Sequence, residues 1–307
     1  MSEKKSILDW MKYSNTLLLV SVLAVLASIG AIAVNGLNFG LDFTGGTLLE
    51  VQYSTAVPVQ DISATLGEAG YKGVSVQSFG AETDILVRMS ESYHDGLGEE
   101  VLASLQKAAG TNTLTLMRSE FVGANVGEDL RDQGGMALLL ALFLIMMYVA
   151  ARFQLKFSVG AVVALFHDVV IILGVFAIFQ INFDLTVMAA LLAVIGYSLN
   201  DTIVVADHIR DNFRTMLNAS PREVINEALD HTFGRTMMTS LTTALVLVAL
   251  LVVGGELIRG FATALLIGVV VGTYSSIYIA SALLLTMKVT REDLVPAEVQ
   301  SEIDDRP

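Results

Sequence analysis

Two carboxylates and one arginine stand in this sequence where charge is costly. Asp201 lies within YSLNDTIVVADHIR (Tyr197 to Arg210), Asp168 within FHDVVI directly after His167, and Arg235 within FGRTMMTSLTTAL. Each sits inside or beside a run apolar enough for lipid. An aspartate at the centre of a membrane helix costs roughly 2.5–3.5 kcal/mol on insertion scales, so such residues normally face a bundle interior and mark ion or proton paths. A carboxylate loses its charge by taking one proton. An arginine keeps its charge, but can hold a carboxylate until protonation releases it. The chemistry within reach is therefore proton uptake and release, and Asn200 beside Asp201 adds donors and an acceptor that could hold the carboxylate or a water.

Spacing places these groups and leaves alternatives open. Asp201 follows Leu185 by 16 residues, which is ~24 Å of helix and takes it past the bilayer midplane. The plain alternative is a cap residue at the helix end, although Thr202 to Ala206 continues the apolar run beyond it. Asp168 lies deeper. His167 points about 100° away from it around a helix, so the two need not act together. His167 could simply bond a neighbouring helix, and Asp168 could be a structural partner of a Ser, Thr or Tyr. Arg235 reads equally as a snorkelling anchor or as the charge partner of Asp201.

The elements that must position these residues are membrane helices. Apolar residues make up 54% of the chain and charged residues 16%, against about 25% charged in soluble proteins. The apolar residues come in blocks. The absence of cysteine excludes disulfides, thiolate metal sites and cysteine nucleophiles, and a formal charge of −13 disfavours nucleic acid. Six blocks are long enough to cross a bilayer: 16–34, 135–151, 158–180, 184–206, 236–254 and 260–287. The first follows Lys4, Lys5 and Lys12 and is longer than a signal-peptide core, so it reads as an uncleaved anchor. Lys and Arg gather at 1–15, at Arg152 and Lys156, in 207–235 and in the tail 288–307, which predicts that both termini are cytoplasmic. Segment 35–134 is then exported.

That exported segment has five basic residues against fourteen acidic ones. Leu49, Val51 and Tyr53 alternate as one face of a strand; Val59, Ile62, Leu66 and Ala69 follow at helical spacing. VSVQSF and DILVRM read as a strand pair around Gly80, Gly98–Ala109 as a helix with Val101, Leu102 and Leu105 inward, and TLTLMRSEFV as a closing strand. This β-α-β-β-α-β order predicts a ferredoxin-like α+β domain on a polytopic α-helical membrane protein. In 207–235, Ser220-Pro221-Arg222-Glu223 predicts a capped helix start, read as a surface helix on the bundle. The tail shows little periodicity and reads as frayed. Gly260, Ala264, Gly268, Gly272, Ser276 and Ala280 recur every fourth position, which predicts a closely packed helix contact.

No GxxxxGK[ST], HExxH or GxSxG pattern is present, so nucleotide, zinc-protease and serine-hydrolase chemistry lack their usual carriers. Two intramembrane aspartates would also suit an aspartyl protease, but neither lies in a glycine-rich catalytic motif. Nothing in the sequence calls for a cofactor.

The stretch GLDFTGGTLLEV resembles a signature of the SecF family of bacterial protein-export membrane subunits, carried by Gly40, Asp42, Phe43, Thr44, Gly45 and Gly46. VGANVGEDLRDQG, FHDVVI, IGYSLNDTIVVADHIRDNF, HTFGRTMMTSLTTAL and GTYSSIYIASALL resemble the same family in the same order. The resemblance implies an RND-type transporter half in the inner membrane, with a periplasmic domain after the first helix. It implies SecD as obligate partner, YajC and the SecYEG channel as associates, preproteins as cargo, and the proton-motive force as energy source. It also implies that Asp201 and Arg235 lie on the proton path; Asp168 and Asn200 are relay candidates from their chemistry and placement alone. A proton-coupled small-molecule exporter and a passive translocon scaffold are the competing expectations; only the scaffold predicts that Asp201 and Asp168 tolerate replacement by Asn.

Overall fold

The computed structural model describes residues 8–79, 81–91 and 94–294. Lys4, Lys5, the Gly80 turn and the tail beyond 294 lie outside the described residues. A 3-10 turn, Trp10–Tyr13, opens α1 (Ser14–Asn35). Next come β1 (Asn38–Phe39), the single turn α2 (Leu41–Thr44), β2 (Gly46–Tyr53), α3 (Val59–Glu68), β3 (Ser75–Phe79), β4 (Ala81–Met89), α4 (Leu97–Ala109) and β5 (Leu114–Val122). The remainder is helical apart from β6: α5 (Ala124–Arg152), α6 (Leu155–Phe179), β6 (Asn182–Phe183), α7 (Leu185–Thr215), α8 (Pro221–Val253) and α9 (Glu256–Tyr274). A π-helical segment, Ser275–Ala280, joins α9 to α10 (Ser281–Thr286).

Among the described residues six helical spans are long and apolar enough to cross a membrane, making this a multi-pass membrane protein. The spans of α6, α7 and α9–α10 form the buried centre, whereas α1, α5 and α8 expose side chains such as Leu23, Phe143 and Leu245. Those exposed apolar faces suit lipid, where burial inside protein gains little and close packing decides contacts.

The domain between α1 and α5 has four antiparallel strands in the order β3-β4-β2-β5. Its element and strand orders are compatible with the expected ferredoxin-like sandwich. Leu49, Val51 and Tyr53 of β2, with Ile85, Val87 and Met89 of β4, are buried against Ile62 and Leu66 of α3 and Val101 and Leu105 of α4. The alternation of apolar residues along the strands thus becomes one covered face and one open face. Ala69 falls one residue past the end of α3 and is exposed.

The structure differs from the sequence expectation in four places. The stretch 207–235 is not a separate surface helix: α7 continues to Thr215, only five residues form the turn, and α8 then runs unbroken for 33 residues. Its capping box does form at Ser220 and Glu223. With no further proline and only one glycine, Gly234, between Pro221 and Gly254, nothing stops the helix, and Val224, Ile225, Ala228 and Leu229 are buried with Phe153 and Ile209. The helix expected from Gly135 starts at Ala124, because the polar VGEDLRDQG stretch continues the same helix out to the domain. The segment 260–287 changes helix type at Ser275. The start of the tail is tied down: Lys156 Nζ donates to Asp293 Oδ2 at 2.7 Å.

The N-terminal turn is clamped to α8. Asp9 accepts from Arg222 at 3.1 and 2.7 Å and from Asn226 Nδ2 at 2.9 Å, and Met11 N donates to Asn226 Oδ1 at 3.1 Å. Trp10 Nε1 donates to Asp230 Oδ1 at 2.5 Å, and its ring packs on Phe233 at 4.6 Å.

The Asn226 and Arg222 bonds hold the Asp9 carboxyl below its ordinary value. A depressed carboxylate contributes stability above its unfolded pKa, and that contribution is lost as pH falls through the folded value. Trp10 is the single tryptophan of the chain, so its fluorescence should stay constant from pH 7 to 5 and shift toward a solvated indole below about pH 4. An unchanged spectrum down to pH 2 would show that Asp9 does not hold the clamp. A methyl at Gly268 would meet Val194 Cγ2 at 2.2 Å, whereas one at Gly30 meets nothing within 4 Å. Gly268→Ala is expected to lower unfolding free energy in detergent by about 1–3 kcal/mol. Gly30→Ala should raise it by up to about 1 kcal/mol, and equal effects at the two sites would refute the close α7–α9 packing.

Candidate functional site

The two aspartates sit in one buried layer where α6, α7 and the π segment meet, yet their surroundings are opposite. Asp168 is fully buried, and both its oxygens are engaged. Oδ2 accepts from Ser198 Oγ of α7 at 2.5 Å and from Ser275 Oγ at 2.8 Å, and Oδ1 lies 2.9 Å from His167 Nδ1. These contacts pin three helical elements to one carboxylate. His167 and Asp168 therefore touch despite their 100° separation around the helix. The His167 ring also lies 6.2 Å from Tyr274, whose hydroxyl reaches Ser21 and the Leu17 carbonyl of α1.

Asp201 is 5% exposed, and its Oδ2 has no hydrogen-bond partner among the described residues. Beside it Thr202 Oγ1 lies 2.8 Å from Ser276 Oγ, which donates at 3.4 Å to the Ser198 carbonyl. Two hydroxyl sets thus meet at Ser198: its side chain serves Asp168, and its backbone carbonyl accepts from Ser276, the partner of Thr202 beside Asp201. A further pair, Ser240 Oγ and Thr273 Oγ1 at 2.6 Å, joins α8 to α9.

Asn200 and Arg235 are not part of this layer. Asn200 is on the exposed side of α7, one residue and ~100° away from Asp201. Arg235 is on the exposed side of α8. Among the described residues no ion pair joins Asp201 to Arg235, although the arginine charge acts on the carboxylate from a distance. Both outward residues place polar groups on a surface flanked by apolar helix faces.

The small-residue stripe packs inside this chain. A methyl on Gly260 would meet Val187, one on Gly268 Val194, and one on Gly272 Ser198 and then Asp168 Oδ2, so α9 lies directly on α7. Ser276 bonds Thr202 of α7, and Ala280 faces Gly160 of α6. Any side chain at 272 would intrude on the Asp168 cluster.

The signature residues form a joint between the domain and the bundle. β1 pairs in parallel with β6 in the turn before α7, and Gly40 N donates to Phe183 O at 2.7 Å. A methyl at Gly40 would lie 2.9 Å from Asp184 Cβ. Asp42 Oδ2 accepts from Leu185 N, the first residue of α7, at 3.0 Å. Phe43 stacks on Phe183 at 6.0 Å, and Thr44 Oγ1 donates to the Gly40 carbonyl at 3.1 Å. Gly45 has φ +66° with Ala124 Cα 2.6 Å from where a Cβ would stand, and Gly46 has φ +114° against the Met89 carbonyl. Backbone this close, in left-handed conformations, leaves room only for glycine.

Ser198, Thr202 and Ser275 were not singled out by sequence, and Ser276 was read only as packing. Their signal is weak, since hydroxyls in membrane helices commonly bond their own backbone. The faint clue is that a buried carboxylate requires donors, and Ser and Thr are the donors these helices carry.

Two family descriptions match the chain: "Protein export membrane protein SecD/SecF, C-terminal" over residues 101–290 and "SecD/SecF GG Motif" over residues 30–57. It is 46% identical to the protein translocase subunit SecF of Pseudomonas aeruginosa, with all of both chains covered. It is 41% identical to the SecF subunit of Escherichia coli O157:H7, covering 99% of this chain and 95% of that one. Among solved structures, SecDF from Thermus thermophilus superposes with a TM-score of 0.83 at 35% identity, covering 94% of this chain. The chain spans 40% of that SecDF protein. The family matches and the full-length identity to SecF subunits agree, and the chain belongs to the SecD/SecF family of protein-export membrane proteins, as a SecF-type subunit.

Proposed function

We propose that this subunit forms the SecF half of an inner-membrane SecD–SecF complex that uses the proton-motive force to assist preprotein translocation, with Asp201 as the proton carrier. The observation that carries this reading is the contrast between the aspartates. Asp168 is held by Ser198, Ser275 and His167 at both oxygens, so it serves as a pin. Asp201 is nearly as buried, but its Oδ2 has no hydrogen-bond partner among the described residues, and the Thr202–Ser276 hydroxyl pair lies next to it in the chain. A proton arriving there neutralises a charge that costs energy in a low-dielectric bundle. It also ends the pull of Arg235, so α7 can move relative to α8. One charge moved through 100 mV is worth ~2.3 kcal/mol, enough to shift a two-state helix arrangement about 50-fold.

The match to part of a longer SecDF protein supports SecD as the partner. The exposed Asn200 and Arg235 are polar groups on an otherwise lipid-facing surface, and they face that partner in this reading. The basic end of the bundle, with Arg152, Arg210 and Arg222, is cytoplasmic, and so are both termini; the α+β domain is periplasmic. YajC, SecYEG and the emerging preprotein are the further contacts.

In cells depleted of their own SecF, Asp201→Asn is expected to assemble with SecD yet leave release of a labelled secretory protein unresponsive to the proton-motive force. If the variant responds like the unsubstituted protein, the aspartate is structural and the scaffold reading takes over. Asp168→Asn carries a different expectation, because an amide cannot accept from all the donors around it. It should cost about 1–3 kcal/mol in detergent stability, while the protein that does assemble keeps its response to the force. Equal stability of Asp168→Asn and the unsubstituted protein would remove the pin.

A further inference from the structure

We infer that Asp42 is a positioning residue: it fastens the root of the α+β domain to the first turn of α7, the helix that carries Asp201, so that domain and helix move together. The domain's covalent tethers are α1 and α5. Neither is α7, so movement of α7 reaches the domain only through non-covalent contacts. The β1–β6 pair and the Gly40–Phe183 bond hold the turn that precedes α7. Asp42 reaches the helix itself, accepting from Leu185 N at 3.0 Å. The helix's own cap, Asp184, accepts from Val187 N at 2.9 Å, so the two carboxylates satisfy different donors of the same turn. A negative group there is also favoured by the helix dipole.

Arg88 reaches the same joint from the domain side. Arg88 on β4 donates through Nη1 to the Phe39 carbonyl at 2.9 Å, and burial lowers its pKa while the Asp42 charge opposes that shift. Asp42 and Arg88 line a cleft of about 380 Å³ between the open sheet face and this end of the bundle. The cleft leaves the sheet unsupported over the rest of that face, so the joint fixes the domain's angle. A domain held at this joint follows the first turn of α7.

The inference rests on the proposed function only for its purpose, and its test is independent of Asp201. The chain has no cysteine, so Ala64→Cys on exposed α3 and Leu217→Cys in the α7–α8 turn allow two spin labels in the full-length subunit, assembled with a cysteine-free partner in nanodiscs. The label distance should be narrowly distributed in the otherwise unsubstituted protein and in Asp42→Asn, whose amide oxygen still accepts from Leu185 N. It should be about twofold broader in Asp42→Ala, with force-driven export down about tenfold and restored in Asp42→Asn. A narrow distribution in Asp42→Ala overturns the inference whatever its export activity. Should Asp42→Ala fail to assemble, Gly40→Ala wedges the same joint against Asp184 and must give the same broadening; a narrow distribution there is equally fatal. Asp201→Asn serves as the separating control: it is expected to stop force-driven export with the distribution unchanged, so a failure of the carrier reading leaves the joint's test standing.

Discussion

A negative charge at the centre of an apolar bundle must be surrounded by donors, and the Asp168 carboxylate dictates how the inner helices approach one another. Ser198 must come from α7 and Ser275 from the helix after α9, each within hydrogen-bond distance of one oxygen. For both to arrive, α9 has to lie on α7 with no side chain between them, which is what Gly268 and Gly272 permit. The hydroxyls, the glycines and the close helix contact are one requirement seen from three sides. Hydrophobic burial cannot supply this specificity, because lipid is as apolar as leucine. Geometry comes from the polar contacts and the small residues.

The opposite end of the bundle solves a different problem with related means. A domain that must hang from membrane helices needs a defined angle, and here the angle is set where two backbones nearly touch. Gly40, Gly45 and Gly46 let the chain turn against Asp184, Ala124 and Met89, and Phe43 fills the aromatic cluster with Phe176 and Phe183. The aspartate between the glycines then meets an orphan amide of α7. Together with the N-terminal clamp on α8, this gives α1 fixed points at both of its ends, on two different helices.

Much of this was legible in the sequence, for identifiable reasons. Hydropathy marks the spans because twenty apolar residues in a row have few other uses. Asp168 and Asp201 stand out because charge in such runs is expensive, and the alternation in β2 and β4 announces a sheet with one covered face. What stayed hidden depends on direction around a helix. Asn200 and Arg235 have the right chemistry near Asp201, but 100° per residue turns Asn200 away, and the register of α8 turns Arg235 outward. Ser198 and Ser275 look like any serines in a membrane helix until the carboxylate they serve is placed between them. The unbroken α8 was missed because the charged residues of 207–235 suggested a separate surface helix, although they line the start of a membrane helix whose other side is core.

The π segment has a consequence for how this chain can vary. A strict four-residue repeat drifts by about 40° per step on an α-helix, so a stripe running from Gly260 to Ala280 would wind around to the far side of a regular helix. The wider turn at Ser275–Ala280 takes up part of that rotation, so Ser276 still meets Thr202 of α7 while Ala280 turns to Gly160 of α6. Length is therefore under tighter constraint here than identity. Exchanging one small residue for another leaves the phase intact, whereas losing a single residue would restore an ordinary helix and rotate everything after it away from its partners.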